Sequence, residues 1–186
     1  MTQPACLSEP APPHEPPAVG PLVGLLHQLS DLIETLTDEE YARKPVGVVE
    51  SSIGGHVRHN LDHVAALVRG LPTGELSYDH RDRGTDVERD RGAALGATRR
   101  LERELRALAW DELPPVVTLS ALVSPDLPPV VALTSPEREL AFVVSHTIHH
   151  NALVRVMVKL IGAAVPAEFG YAPSTLAHKR NRACVR

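Results

Sequence analysis

From Pro21 onward, apolar residues recur every three or four positions, at Leu22, Leu25, Leu26, Leu29, Ile33 and Leu36, with polar residues between them. The run predicts a first helix that starts at Pro21, where a missing amide proton costs nothing, and stops before Pro45. A second helix is predicted from a cap at Ser51 or Ser52 to about Leu71, closed by Gly70, Pro72 and Gly74. Residues 75–87 are charged and carry no apolar period, so they read as a long crossover loop. A third helix follows over about 89–110, with Leu95, Leu101, Leu105 and Leu108 facing inward. Two β-branched runs, 116–122 and 130–134, are split by "SPDLPP" and predict a β-hairpin or a pair of extended edge segments. Thr134 or Ser135, with Pro136 and Glu137, then opens a fourth helix that continues to about Ile161 before Gly162.

The pattern therefore predicts an all-α chain. It is a four-helix bundle with a long crossover between helices two and three and a short β-hairpin or extended insert before helix four. Residues 1–20 hold six prolines, which deny the backbone helical hydrogen bonds, and read as a disordered tail. The bundle is expected over 21–175, with Phe169 and Tyr171 packing its last segment back onto it, and 176–186 as a basic tail. No internal repeat is visible.

Composition narrows the function classes. Aromatics make up only 3% of the 186 residues, so the core must be built from aliphatic side chains, which suits helix-on-helix packing. A formal net charge of −4 offers no basic surface to neutralise a phosphate backbone, so nucleic acid is not expected as a partner. No apolar run is long enough for a membrane span, and the N-terminus lacks the apolar stretch of a signal peptide. Cys6 and Cys184 lie near the two ends without metal-site or disulfide spacing, and the cytoplasm is the expected compartment.

The chemistry lies in the histidines. On helix four, Val143, His146, His150, Leu153 and Met157 project within one arc of about 80°, which places two histidines on the core seam four residues apart. Side chains at that spacing stand one above the other and can close on a single metal ion. A lone inward histidine is more often a hydrogen-bonded core residue, and the pair is what raises a metal site as an alternative. On helix two the seam is Ile53, Val57, Asn60, Val64 and Leu67, and His56, His59 and His63 run along its flank. Periodicity puts His56 and His63 nearer the seam than His59, and does not choose among the three cleanly.

These residues resemble the DinB/YfiT-like superfamily of small metal-binding four-helix bundles. In that family a Ser followed seven residues later by His on helix two supplies one metal ligand, and "H-x-x-x-H" on helix four supplies two. Ser52 and His59 match the first element, although the family's usual Trp is absent and "VES" stands in front; "HTIHHNAL" matches the second, with Asn151 and Leu153 where many members carry Arg and Gln. The resemblance covers about residues 20–162, and "FGYAPSTL" is similar to the ending of one bacterial branch. It implies His59, His146 and His150 as ligands of a divalent transition metal, zinc or nickel first; His56 and His63, nearer the seam by periodicity, are expected to orient those ligands or to replace His59.

Three neutral imidazoles leave a coordination position open, so such an ion would lower the pKa of bound water or stabilise a thiolate. The resemblance accordingly implies a thiol S-transferase or a hydrolase acting on an electrophilic small molecule, with a low-molecular-weight thiol as a co-substrate in the first case. His63 and His149 are candidate proton handlers, since imidazole titrates near neutrality. Asp62 and Glu139 are weaker candidates for orienting a ligand, and Tyr78, His80 and Arg81 for binding an anionic substrate at the mouth of the site. No serine-nucleophile motif or phosphate-binding loop is present. The competing expectations are a non-enzymatic metal-binding bundle and an interaction module that uses the proline-rich tail; a homodimer is compatible with any of them.

Overall fold

The structure is a computed structural model, and it describes residues 15–45, 47, 49–79 and 84–184. Among the described residues it is mostly helical, with six α-helices, α1 (Val19–Thr35), α2 (Asp38–Ala42), α3 (Ile53–Gly70), α4 (Arg91–Arg106), α5 (Pro136–Leu160) and α6 (Pro173–Cys184). Three strands, β1 (Glu75–Leu76), β2 (Val117–Ala121) and β3 (Val130–Thr134), form one small sheet. Of the four long helices, α3 packs on α4 and α5, and α1 packs on the same two from the other side. Their shared interior is aliphatic: Leu22, Leu26, Leu29 and Ile33 meet Ile53, Val57, Val64 and Leu67, with Leu101, Leu105, Leu140, Val143 and Val158, all buried. Each such side chain contributes about 1.5–3 kcal/mol on leaving water, so this interior holds the helices in place.

The first predicted helix is in fact two. Thr37 accepts a hydrogen bond from the Glu40 amide at 3.2 Å while the Glu40 carboxylate accepts one from the Thr37 amide at 2.8 Å. This reciprocal cap starts a new helix and so ends α1 at Thr35. Arg91 braces the break, pairing with Asp38 at 2.6 Å and donating to the carbonyl of Leu36.

Ser52 is the residue that caps α3, accepting from the Gly55 amide at 3.0 Å, and Ser135 caps α5. Helix α4 is shorter than the sequence predicts, and its buried face is Ala94, Ala97, Thr98, Leu101 and Leu105. Leu95 is only half-buried and Leu108 lies beyond the helix end, so small residues take up much of the face that α4 buries.

Residues 75–87 are not loop alone. Gly74, at φ 72°, turns the chain out of α3, and Glu75 and Leu76 pair in parallel with Thr118 and Leu119 of β2. A two-residue strand is too short to show a period of two, which is why the pattern does not reveal it. The expected hairpin is present: β2 and β3 are antiparallel, from Val117 opposite Thr134 to Ala121 opposite Val130.

Beyond β1 the crossover is pinned at its far end. The Tyr41 hydroxyl donates to the Val87 carbonyl at 2.6 Å, and Arg58 of α3 pairs through Nε with Glu88 at 2.6 Å. Burial, with Asp90 and Glu88 nearby, pushes the Tyr41 phenol far up, so it remains a donor. Gly54 permits this approach, because a Cβ there would stand 2.2 Å from the Glu88 carbonyl oxygen and 2.6 Å from the Tyr41 ring.

After α5, Arg155 donates to the carbonyls of Pro166, Ala167 and Phe169, the last at 2.7 Å, and the Phe169 ring is buried. Tyr171 lies between Arg155 and Lys179, 4.4 and 3.6 Å from its ring centre. Gly170, at φ 71°, passes so near α5 that a Cβ would meet the Asn151 carbonyl oxygen at 2.7 Å. Among the described residues no helix is long and apolar enough to cross a membrane.

The two kinds of helical glycine should respond oppositely to alanine. Gly54→Ala is expected to destabilise the fold by about 1–3 kcal/mol through overpacking, whereas Gly24→Ala, with nothing within 4 Å of the new Cβ, should be neutral or stabilising by up to about 1 kcal/mol. Urea denaturation of the two variants measures both.

Candidate metal centre

Helices α3 and α5 build the site between them. Asn60 Nδ2 donates to Asn151 Oδ1 at 3.2 Å across the interface, and both side chains are buried. Each follows a histidine directly, so the bond holds the turn bearing His59 against the turn bearing His150. The ring centres of His59 and His150 are 4.5 Å apart, those of His59 and His146 are 5.2 Å apart, and those of His146 and His150 are 4.4 Å apart. One ring nitrogen from each of His59, His146 and His150 lies within 4.8 Å of the others.

That spacing fits a metal ion. Three atoms no more than 4.8 Å apart share a point at most about 2.8 Å from each, within about 0.7 Å of a zinc–imidazole bond of roughly 2.0–2.1 Å, so small ring rotations suffice. All three donors are imidazoles, His150 is buried, and His59 and His146 are half-buried. These three residues could hold a metal.

The other candidates take different places. His63 is buried, and its Nδ1 lies 3.0 Å from the His59 carbonyl oxygen. A carbonyl only accepts, so Nδ1 carries the proton. Its ring stacks on His146 at 3.7 Å and 19° and on Tyr78 at 5.1 Å and 8°. His56 stands 5.8 Å from His150, and burial lowers its pKa, which favours the neutral ring. His149 is exposed, with its ring perpendicular to that of His150 at 5.3 Å.

Glu139 is fully buried and accepts from Tyr78 Oη at 2.9 Å, Thr134 Oγ1 at 2.8 Å and Arg138 Nη1 at 2.7 Å. Burial and then the Glu139 charge push the Tyr78 phenol far above its ordinary range, so Tyr78 stays a proton donor to the carboxylate. Asp62 pairs with Arg58, the residue that also grips Glu88, and so belongs to the clasp between α3 and the crossover. His80 and Arg81 lie outside the described residues.

Sequence reasoning did not single out Phe142 or the asparagine pair. Phe142 lies one turn before His146, with ring centres 5.8 Å from His146 and 5.2 Å from Tyr78. Polar Asn60 in an otherwise apolar seam was the signal for the pair.

A family model described as the DinB superfamily matches residues 22–154. The chain belongs to the DinB superfamily. Residues 59, 146 and 150 all fall within the matched DinB region. FK506-binding protein 5 of Rhizopus delemar is 34% identical over 158 residues, which cover 84% of this chain and 36% of that protein. The chain thus spans about a third of that relative's length. Among solved structures, a DinB-like protein from Bacillus subtilis matches with a TM-score of 0.57 at 20% identity, over 80% of this chain and 95% of that one. At that identity the likeness shows a shared DinB fold.

The asparagine bond should be testable as a pair. Asn60→Leu or Asn151→Leu alone leaves the other buried amide without its partner and should cost about 1–3 kcal/mol; the double replacement should cost less than the sum of the singles. Chemical denaturation of the four proteins in the cycle checks this.

Proposed function

We propose that this chain is a metal-dependent enzyme built on a DinB-like four-helix bundle. In this reading, zinc or nickel held by His59, His146 and His150 serves a thiol S-transferase or hydrolase reaction on an electrophilic small molecule. The observation that carries it is the approach of three ring nitrogens, from two different helices, to within 4.8 Å. An ion bound by three neutral imidazoles keeps its full charge and an open position, and so favours the deprotonated form of a thiol or of water.

The chain's own residues divide the remaining work. His149, exposed and next to a ligand, is placed to exchange protons between the site and solvent. Tyr78 and Phe142 give the site an aromatic wall against which an apolar portion of the substrate can lie. His63 is turned inward, with its Nδ1 proton given to the His59 carbonyl, and serves the ligands rather than the reacting molecule.

We place the protein in the cytoplasm, as a homodimer that binds a small molecule and neither nucleic acid nor membrane. The edge strand β3 supports the dimer: it carries no charge, its outer edge pairs with no strand among the described residues, and Val131 and Leu133 are exposed. Unguarded apolar edges of this kind pair readily with a second copy. Sedimentation analysis should find a dimer that Val131→Lys converts to monomer; a monomeric wild type overturns this part of the reading.

Protein purified without a histidine tag should carry close to one transition metal per chain by elemental analysis, and His146→Ala should carry almost none. A metal-free wild type that takes up neither zinc nor nickel overturns the assignment. Chelation should abolish turnover of thiol and electrophile, or hydrolysis, while leaving the chain folded, its melting temperature lowered only by the binding free energy of the ion. A large loss of stability without any activity would instead identify a structural ion.

A further inference from the structure

We propose that Glu139, Tyr78 and His63 form a rigid column that positions two of the three ligands, His146 through its ring and His59 through its backbone. This inference rests on the metal-centre reading above.

The column starts from a fixed point. Glu139 lies in the first turn of α5, where a carboxylate is favoured by the helix dipole, and three donors from β3, α5 and the segment after β1 hold both its oxygens. One of those donors is Tyr78. Tyr78 is the second residue after β1, and β1 is held in register by Thr118 and Leu119, so strand pairing delivers the tyrosine to the carboxylate. The hydroxyl fixes one end of the phenol, and Phe142 packs against its ring at 5.2 Å.

From Tyr78 the contact passes through planes. The Tyr78 and His63 rings are nearly parallel at 8°, and His63 covers His146 at 3.7 Å and 19°. A ring covered at that distance cannot swing about its own axis without colliding with its neighbour. His63 cannot retreat, because Tyr78 lies on it and its Nδ1–H is bound to the His59 carbonyl. The same imidazole therefore touches a ligand of α5 by stacking and the turn carrying the ligand of α3 by hydrogen bonding. Groups that orient metal-binding histidines in this way ordinarily change metal affinity by about 10–100-fold when removed. Glu139, Tyr78 and His63 are thus positioning residues, a role separate from the wall that Tyr78 shares with Phe142.

The test uses the full-length chain as wild type, Tyr78→Leu, Tyr78→Phe and Glu139→Gln. Zinc affinity is read by chelator competition, and ligand geometry by the visible spectrum of the cobalt-substituted protein, which a merely structural change would leave alone. Tyr78→Leu removes the stack and should weaken zinc by about 10–100-fold and shift the cobalt bands. Tyr78→Phe keeps the ring but frees it from Glu139, and Glu139→Gln weakens the same bond, so both should fall between wild type and Tyr78→Leu. If Tyr78→Leu does not fold, these two carry the test. Zinc affinities within about two-fold of wild type and superimposable cobalt spectra overturn the proposal. Nitrogen-resolved NMR of the His63 and His146 side chains in metal-free protein separates this failure from that of the parent reading. If wild type binds no metal, unchanged His63 and His146 signals in Tyr78→Leu overturn the column as well, and shifted signals uphold it as the device that orders the two rings.

Discussion

The docking of α3 on α5 is the contact on which the rest depends. It joins residues near 60 to residues near 150, and everything chemically distinctive about the chain lies along it. Aliphatic side chains supply most of its free energy, but they do not choose a register, because Val, Leu and Ile pack acceptably in many offsets. The Asn60–Asn151 bond does choose, since a shift by one turn would strand two buried amides in an apolar interior. The histidine next to each asparagine inherits that register.

Other features brace the same contact from outside. The Arg58–Glu88 pair and the Tyr41 hydroxyl hold the crossover against the start of α3. On α5, Arg155 gathers three carbonyls of the following segment, and Gly170 lies against the Asn151 backbone. The small sheet, an addition to a helical fold, reaches the site through Tyr78. Each brace acts on the backbone or on a neighbouring ring, which leaves the three clustered histidines facing one another.

Much of this was legible in the sequence, and the reasons for the rest are specific. Long helices announce themselves by period, and Ser52 and Ser135 mark two helix starts because their hydroxyls satisfy amides that nothing else reaches. The break after Thr35 was equally local, in the Thr37–Glu40 spacing, but a continuous apolar rhythm across it concealed it. The pairing of β1 was invisible, because two residues carry no pattern and their partner lies far along the chain. A helical wheel also measures direction to the average seam. Helix α3 faces both α4 and α5, so its seam lies between those directions, and a flank residue such as His59 can be the one aimed at α5. The wheel favours His56 and His63 because period alone does not say which neighbour carries the other histidines.

The separation of the three histidines along the chain has a consequence for folding itself. His146 and His150 stand one turn apart on one helix, so they are together as soon as α5 is helical, before any tertiary contact exists. His59 joins them only when α3 docks. A ligand that needs all three imidazoles can therefore tell the assembled chain from one with only its helices formed. By mass action it would add its binding free energy to the native state and almost none to what precedes it. The cluster reads out the docking of α3 on α5.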